Sequence, residues 1–235
     1  MILFLSKTTQ NHDRLASGSK DKSIRIWDLV TGECLFTFKT YVTCLDELQE
    51  ANNRTRLISG SWNKSILVWD LESKDFTKVD TCHTRDVSCI KTLKNGKRFA
   101  SGSFDNTIKI WKVSTLECVA TLRGHCGDVT YLEVNTTTTG TSFSSHEQLI
   151  SCSDDKTIRV WNLFPNDTYQ CLRVLRGHLN AVRLIKLNVY TGELYSVSAD
   201  QENYIDHKVK VWDLDTGKCL RVIQASYYIH TLELC

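Results

Sequence analysis

The hydrophobic and polar positions of this chain follow one short pattern that recurs along its length. In the clearest copy, residues 99–111 read FASGSFDNTIKIW: an apolar run, a polar turn, and an alternating run that ends at Trp111. Alternation with a period of two indicates β-strands, and the polar turn between the runs is typical of a hairpin. The same pattern returns from Leu15, Leu57, Leu149 and Tyr195. The chain is therefore predicted to be an array of one β-rich unit.

The tryptophan that ends each copy sets the spacing of the units. These residues are Trp27, Trp69, Trp111, Trp161 and Trp212, at intervals of 42, 42, 50 and 51 residues. The two long intervals reflect a polar loop from Asn135 to His146 and an enlarged hairpin from Gln201 to Ile205. A period of roughly 40 to 45 residues with four strands per unit is typical of a propeller blade.

Three further features of the units point to a family. The turn reads Ser-Gly-Ser-x-Asp, the alternating strand ends in Trp-Asp or a relative such as Trp161-Asn162, and Gly-His precedes two units, at residues 124–125 and 177–178. In these features the chain resembles the WD-repeat β-propellers. The resemblance implies an all-β propeller of four-stranded antiparallel blades over residues 1–235. Its repeats are predicted at 1–38, 39–80, 81–122, 123–174 and 175–223, with a partial repeat at 224–235.

The number of blades is left open by the sequence. Propellers of this family usually have seven blades, which would need about 294 residues at about 42 per unit. An open arc would leave strand edges unpaired, which folded proteins avoid. The chain is therefore expected to be either a fragment or shortened relative of a seven-bladed protein, or a ring of five or six blades.

Composition excludes several classes of function. The formal net charge is +2 and 24% of residues are charged, which argues against a dedicated nucleic-acid binder or a polybasic membrane anchor. The apolar run after Met1 is too short for a signal peptide, and nothing approaches the roughly 18 apolar residues of a membrane helix. The chain is predicted to be soluble and cytoplasmic, with the nucleus as the alternative compartment.

The ten cysteines are expected to be reduced and mostly buried as small apolar fillers. Four of them fall at the same place in their units, just after the tryptophan strand: Cys34, Cys118, Cys171 and Cys219. Equivalent positions on successive blades lie too far apart for a disulfide. The chain has no Cys-x-x-Cys pair, so neither a metal site nor a cofactor is predicted.

Each regular unit contains serine, histidine and aspartate, the ingredients of a hydrolytic triad. The resemblance implies instead that they form a buried hydrogen-bond network with the tryptophan, and recurrence in several units favours this structural role. No enzyme is expected. The predicted sets are His83, Ser101, Asp105 and Trp111; His125, Ser151, Asp155 and Trp161; and His178, Ser196, Asp206 and Trp212. Unit two lacks the histidine and has Asn63 in place of the acid, so it is predicted to be the least stable.

The resemblance also implies which residues form the top face of the propeller, where partners bind. One set precedes the hairpin acid: Lys20, Trp62, Phe104, Asp154 and Ala199. The other follows the valine that begins each first strand: Thr43, Ser88, Thr130 and Arg183, with His230 in the partial repeat. Trp62 and Phe104 are predicted to anchor a peptide- or helix-binding patch. The alternative is that these two aromatics only cover the rims of their own blades.

The leading hypothesis is a non-enzymatic scaffold that binds partner proteins or peptides on its top face. The alternative is the substrate-recognition propeller of an F-box type ubiquitin ligase, whose relatives read phosphorylated peptides. That role needs several converging arginines, and only Arg183, with Lys20 as a weaker second, is so placed. A nucleic-acid-associated role is disfavoured by the near-neutral charge, and no small-molecule substrate is expected.

Overall fold

The computed structural model describes residues 2–8, 12–49, 55–93, 96–135, 147–163, 169–198, 208–224 and 229. All regular structure within these ranges is β-strand, in five four-stranded sheets. We call these sheets blades one to five. The predicted all-β class with four-stranded antiparallel units is confirmed.

Four consecutive strands form each blade. Blade one contains β1 (Ile2–Thr8), β2 (His12–Ser19), β3 (Ser23–Asp28) and β4 (Cys34–Lys39). Blade two contains β5 (Cys44–Gln49), β6 (Thr55–Gly60), β7 (Ile66–Asp70) and β8 (Phe76–Val79). Blade three contains β9 (Val87–Thr92), β10 (Arg98–Ser103), β11 (Ile108–Lys112) and β12 (Cys118–Leu122). Blade four contains β13 (Val129–Asn135), β14 (Gln148–Ser153), β15 (Ile158–Leu163) and β16 (Tyr169–Leu175). Blade five contains β17 (Val182–Leu187), β18 (Glu193–Ser198), β19 (Lys208–Asp213) and β20 (Cys219–Gln224).

The strands of each blade pair in chain order, as a meander, which fits the short turns between them. The second and third strands are joined by the polar hairpin seen in the sequence pattern. We call the end of the sheet that carries this hairpin, where the first strand also begins, the top end of the blade. The turn between the third and fourth strands lies at the opposite end.

The chain forms two compact units, residues 1–105 with 109–119 and residues 106–108 with 120–235. In the first unit, apolar side chains of one blade's outermost strand pack on the tryptophan of the next blade. The ring of Phe38 in β4 lies 4.4 Å from that of Trp69, measured between centroids. Val79 in β8 shares a buried core with Trp111. The second unit repeats this arrangement, because Leu175 in β16 shares a core with Trp212.

Close packing between blades two and three explains the glycine that ends β6. A Cβ atom on Gly60 would lie 2.7 Å from Cγ1 of Val87 and 2.6 Å from Sγ of Cys44. Both neighbours are buried. Any larger residue at position 60 would therefore require the first strand of blade three to move.

A β-bulge interrupts the pairing of the first strand with the second in blades three, four and five. The pairing skips from Val129 to Tyr131 in blade four and from Val182 to Leu184 in blade five, while their partners on the second strand are consecutive residues. In blade three it passes from Val87 to Cys89. The skipped residues are Ser88, Thr130 and Arg183. A bulge re-aims a side chain, so it sets the direction of three predicted top-face residues.

The expectation that the cysteines are mostly buried is wrong. Of the nine described cysteines, only Cys44, Cys89 and Cys152 are buried, and five are exposed. The repeated cysteines lie on the outermost strands, which form the exposed edges of the blades; three of the four are exposed and Cys171 is half-buried. No disulfide joins any of the nine. Burial raises the pKa of the Cys44 and Cys152 thiols to about 12, so both remain protonated at neutral pH.

Several sequence predictions fall outside the described residues. They concern residues 136–146 of the polar loop, the enlarged hairpin with Asp206, and most of the partial repeat. The top-face positions Ala199 and His230 fall there as well. Within the described part, no helix is both long and apolar enough to cross a bilayer.

Candidate functional site

The predicted network of blade three is assembled around the hydroxyl of Ser101. The indole Nε1 of Trp111 lies 2.8 Å from Ser101 Oγ, and Nε2 of His83 lies 2.9 Å from the same oxygen. Nδ1 of His83 lies 2.8 Å from Oδ2 of Asp105. The network therefore ties the loop before β9 to the hairpin after β10.

Protonation follows from this arrangement. Burial lowers the pKa of His83, although Asp105 opposes that effect, so the imidazole is neutral at neutral pH. The Trp111 N–H donates to Ser101 Oγ, which leaves the hydroxyl hydrogen to donate to His83 Nε2. The remaining ring hydrogen, on Nδ1, then donates to the Asp105 carboxylate. Each donor has one acceptor, as a buried polar network requires.

Blade four repeats the geometry. His125 lies 2.8 Å from both Ser151 Oγ and Asp155 Oδ2, and Trp161 Nε1 lies 2.8 Å from the same serine oxygen. Burial opposes the ionisation of Asp155. Hydrogen bonds from His125, Thr157 and the backbone amide of residue 126 outweigh it and hold the pKa of this carboxyl well below its usual range. Asp155 is therefore a permanently ionised acceptor.

In blade five, the described residues of the predicted set have the same arrangement. His178 Nε2 lies 2.6 Å and Trp212 Nε1 lies 2.7 Å from Ser196 Oγ. The predicted acid, Asp206, lies outside the described residues.

Among the described residues, blades one and two show only the tryptophan–serine bond of this network. Trp27 donates to Ser17 and Trp69 donates to Ser59, each over 2.8 Å. In blade two, Asn63 bonds locally to the amide and hydroxyl of Ser65. The linker before β5 has no histidine that could reach this hairpin.

The serine, histidine and aspartate sets have the bonding order of a hydrolytic triad, but they are closed to substrate. Ser101, Ser151 and Ser196 are each 0% exposed. Their oxygens also accept a tryptophan N–H, whereas a nucleophile must present its oxygen to an incoming carbonyl. These sets can hold a hairpin in place, but they cannot reach a substrate in this conformation.

Two aromatic side chains mark the top end of the first unit. Trp62 is 44% exposed in the hairpin of blade two, and Phe104 is half-buried in the hairpin of blade three. The loop before β9 bonds both hairpins, because the Val87 amide donates to Ser61 O and the Phe104 amide donates to Asp86 O. The two aromatic turns are therefore neighbours joined by one loop.

Sequence reasoning missed a third member of this patch, Arg85. Its Nη1 donates to the carbonyl oxygen of Phe104 over 2.7 Å, and its guanidinium carbon lies 5.8 Å from the centroid of the Phe104 ring. The side chain is exposed. Arg85 precedes the first-strand valine by two positions, outside both sets that the resemblance supplied. We call Trp62, Arg85 and Phe104 the aromatic patch.

The other predicted top-face residues have different environments. Lys20 is exposed in the hairpin of blade one. The hydroxyl of Ser88 donates to Gly102 O within its own blade. The hydroxyls of Thr43 and Thr130 donate across to the next blade, to Val87 O and Val182 O. These hydroxyls are therefore occupied in bonds within the fold.

In the second unit, Arg183 and Asp154 form an ion pair. Nη1 of Arg183 lies 2.7 Å from Oδ1 of Asp154, and the two side chains are 27% and 33% exposed. Burial raises the pKa of Asp154, while Arg183 opposes this effect. The pairing joins blades four and five and neutralises the charge of both predicted residues.

A family model described as "WD domain, G-beta repeat" matches residues 5–28, 32–70, 75–112 and 116–162. Together these ranges cover more than half of the chain. The chain belongs to this WD-domain family. Each WD repeat after the first match begins near the outermost strand of one blade and ends at the third strand of the next. A repeat therefore spans two blades, which links neighbouring sheets through the chain itself.

Curated relatives of this WD-domain chain include proteins named for nuclear distribution. Nuclear distribution protein nudF 1 of Talaromyces marneffei is 32% identical over 108 residues, which are 46% of this chain and 20% of that protein. Nuclear distribution protein nudF of Aspergillus niger is 33% identical over 109 residues, 46% of this chain and 22% of that protein. Nuclear distribution protein PAC1 of Fusarium vanettenii is 38% identical over 86 residues, 34% of this chain and 18% of that protein. The match spans about a fifth of the length of these relatives.

No cluster of three or more His, Cys, Asp or Glu side chains in the described part of the WD-domain chain is arranged to hold a metal ion.

Proposed function

We propose that this chain is a non-enzymatic scaffold that binds partner proteins or peptides at the top ends of its blades. The aromatic patch carries the proposal. Trp62 and Arg85 are exposed, and Phe104 is half-buried beneath the guanidinium. Tryptophan and arginine are the residue types that contribute most often to binding energy at interfaces, and charged rims surround such anchors.

The properties of the aromatic patch favour a partner-binding role over a role in covering the rims of the blades. Trp62 is 44% exposed, and the core of its own sheet already contains a buried tryptophan, Trp69, so the Trp62 ring is not needed to complete the core of blade two. The hairpins that carry Trp62 and Phe104 are fixed by backbone hydrogen bonds to one loop. A rigid aromatic surface loses little conformational entropy on binding.

Membership of the WD-domain family and the closed serine sites support a role without catalysis. The relatives are named for nuclear distribution, and this chain matches only about a fifth of their length. The cytoplasmic location remains a prediction from the sequence.

The ubiquitin-ligase alternative is less well supported by the geometry. Reading a phosphopeptide needs guanidinium groups that converge on phosphate oxygens. Arg183 already gives one N–H group to Asp154 and Arg85 gives one to a backbone carbonyl. The scaffold hypothesis needs no such rearrangement.

Alanine substitution tests the proposal. The double variant Trp62→Ala and Phe104→Ala removes both rings, and we expect it to weaken capture of partner proteins by at least about tenfold. The control is Leu29→Ala with Val30→Ala, which removes two exposed side chains, 42% and 83% exposed, at the opposite end of blade one. Quantitative mass spectrometry of captured proteins gives the comparison.

Both variants must melt at the wild-type temperature for the comparison to stand. Equal capture by wild type and the top-end variant would remove the proposal, and so would equal loss in both variants.

A further inference from the structure

A groove of about 480 Å³ lies on the side of blade one, below the hairpin between β2 and β3. The start of β3 with the preceding turn forms one wall, and the end of β4 with the linker to blade two forms the other. The linker is tied to the turn, because the Thr40 amide donates to Lys22 O. The size falls within the range of sites that hold small ligands or a few side chains.

Three cations from different elements line the groove, against one acid. Lys22 comes from the turn, Arg25 from β3 and Lys39 from the end of β4, and all three are exposed. Among the described residues, Asp21 is the only acidic one that lines the groove. Arg25 lies 3.8 Å from Asp21, but both side chains are about half exposed, so this pair is weak.

The remaining cations keep their charge available. The ammonium of Lys22 lies 4.6 Å from the centroid of the Tyr41 ring, a contact that orients the side chain without neutralising it. Lys39 forms no ion pair with any residue in the described part of the chain. The groove therefore has a local excess of positive charge in a protein whose net charge is only +2.

Blade two offers an internal comparison. An equivalent groove of about 440 Å³ is lined by Lys64 and Lys78. Its wall has Asp80 where blade one has Lys39, and Leu67 stands where blade one has Arg25. The groove of blade two thus has a smaller excess of positive charge. Blade four has cations at all three equivalent positions, Lys156, Arg159 and Arg176, but its Arg159 is only partly exposed and donates to Sγ of Cys171.

The turn residue of the groove, Lys22, has a left-handed φ of 66°. Lys64, Asn106 and Lys156 have φ values of 65°, 66° and 68° at the equivalent hairpin positions of blades two, three and four. A lysine in this conformation therefore recurs among the blades, and the charge that separates the groove of blade one from that of blade two comes from Arg25 and Lys39.

We propose that the groove of blade one binds an acidic segment of a protein partner, with Asp or Glu carboxylates lying among Lys22, Arg25 and Lys39. Two lysines and one arginine on opposite walls suit several carboxylates spaced along a peptide. They do not form the converging arginine fork that matches one phosphate group. This site is lateral, so it goes beyond the top-end proposal and does not depend on it.

The test measures fluorescence anisotropy of a labelled twelve-residue peptide with six glutamates spaced by glycine and serine. The double variant Lys22→Glu and Lys39→Glu should weaken its binding at least tenfold at 50 mM salt. The control variant Lys64→Glu and Lys78→Glu makes the same change of net charge in the groove of blade two, and should weaken binding less than twofold. All four side chains are exposed, so both variants should fold.

Two further peptides test whether the groove recognises the carboxylate groups. Replacing the six glutamates with glutamines should abolish binding. A peptide with one phosphoserine and no glutamate should bind at least tenfold more weakly than the glutamate peptide. The proposal is overturned by absence of binding to the glutamate peptide, by equal loss in the two double variants, by retained binding of the glutamine peptide, or by tighter binding of the phosphoserine peptide.

Discussion

At the scale of single residues, one serine per blade organises the packing of the tryptophan. In blades three, four and five this serine bonds both the indole and a histidine, and in blades one and two it bonds the indole alone among the residues that the structure describes. Each serine replaces water as the partner of a buried N–H group. An N–H left without a partner in a core costs about 1 to 3 kcal/mol.

Substitution of these serines should therefore have graded effects. Ser101→Ala leaves two buried groups without their partner, the indole N–H of Trp111 and Nε2 of His83. We expect it to lower the free energy of unfolding by about 2 to 4 kcal/mol. Ser59→Ala leaves only the Trp69 indole unpaired and should cost about 1 to 2 kcal/mol. Urea unfolding measures both, and an equal or smaller loss for Ser101→Ala would show that the histidine bond contributes nothing.

The structure brings together residues that the repeated motif places at fixed spacing. The Ser-x-x-x-Asp spacing and the upstream histidine place Ser101, Asp105 and His83 together because the hairpin and the preceding loop meet at one end of the sheet. The pairing of Arg183 with Asp154 was not predicted. Those residues belong to different blades, and the bulge that aims Arg183 leaves no sign in the hydrophobic pattern.

At the scale of elements, blade two differs from its neighbours because its linker is short. Only Thr40 to Thr43 separate β4 from the start of its first strand, so this linker supplies no side chain that caps the hairpin as His83 caps that of blade three. Aromatic packing partly replaces the cap. The Trp69 ring lies 4.4 Å from the Phe38 ring and 5.0 Å from the Phe76 ring, measured between centroids.

Hydrogen exchange of the indole N–H groups measures whether this replacement is sufficient. We expect the Trp69 indole to exchange about tenfold faster than that of Trp111, which corresponds to one hydrogen bond of about 1.4 kcal/mol. The Trp161 indole provides the control, because its network matches that of Trp111, and it should exchange at the same rate as Trp111. Equal protection of Trp69 and Trp111 would mean that Phe38 and Phe76 fully substitute for the histidine cap.

The elements themselves were readable from the sequence because the tryptophan and the polar hairpin fix both ends of each third strand. The burial of the outermost strands was not readable. Cys34 and Cys219 are each followed by a leucine, as Leu35 and Leu220, yet these cysteines lie on sheet edges and are exposed. Hydrophobic pattern alone does not tell an edge strand from a central one.

At the scale of the whole molecule, features that recur in several blades have a structural role, and features that differ between blades are the candidates for function. The serine networks recur, so they hold the blades. Trp62 and Arg85 do not recur at the equivalent positions of the other described blades, and the groove of blade one is lined by three exposed cations, so these are the features that we propose for recognition. Near-neutral net charge means that recognition depends on these local patches.

Photo-cross-linking tests the central claim, binding at the top end, most directly. Benzoylphenylalanine in place of Trp62 should form covalent adducts with partner proteins. The same residue in place of Ser73, in the turn at the opposite end of blade two, should form few or none. Adducts from position 62 that exceed those from position 73 at least tenfold are the predicted result. Equal adducts from both positions, or adducts from position 73 alone, would contradict a top-end binding surface.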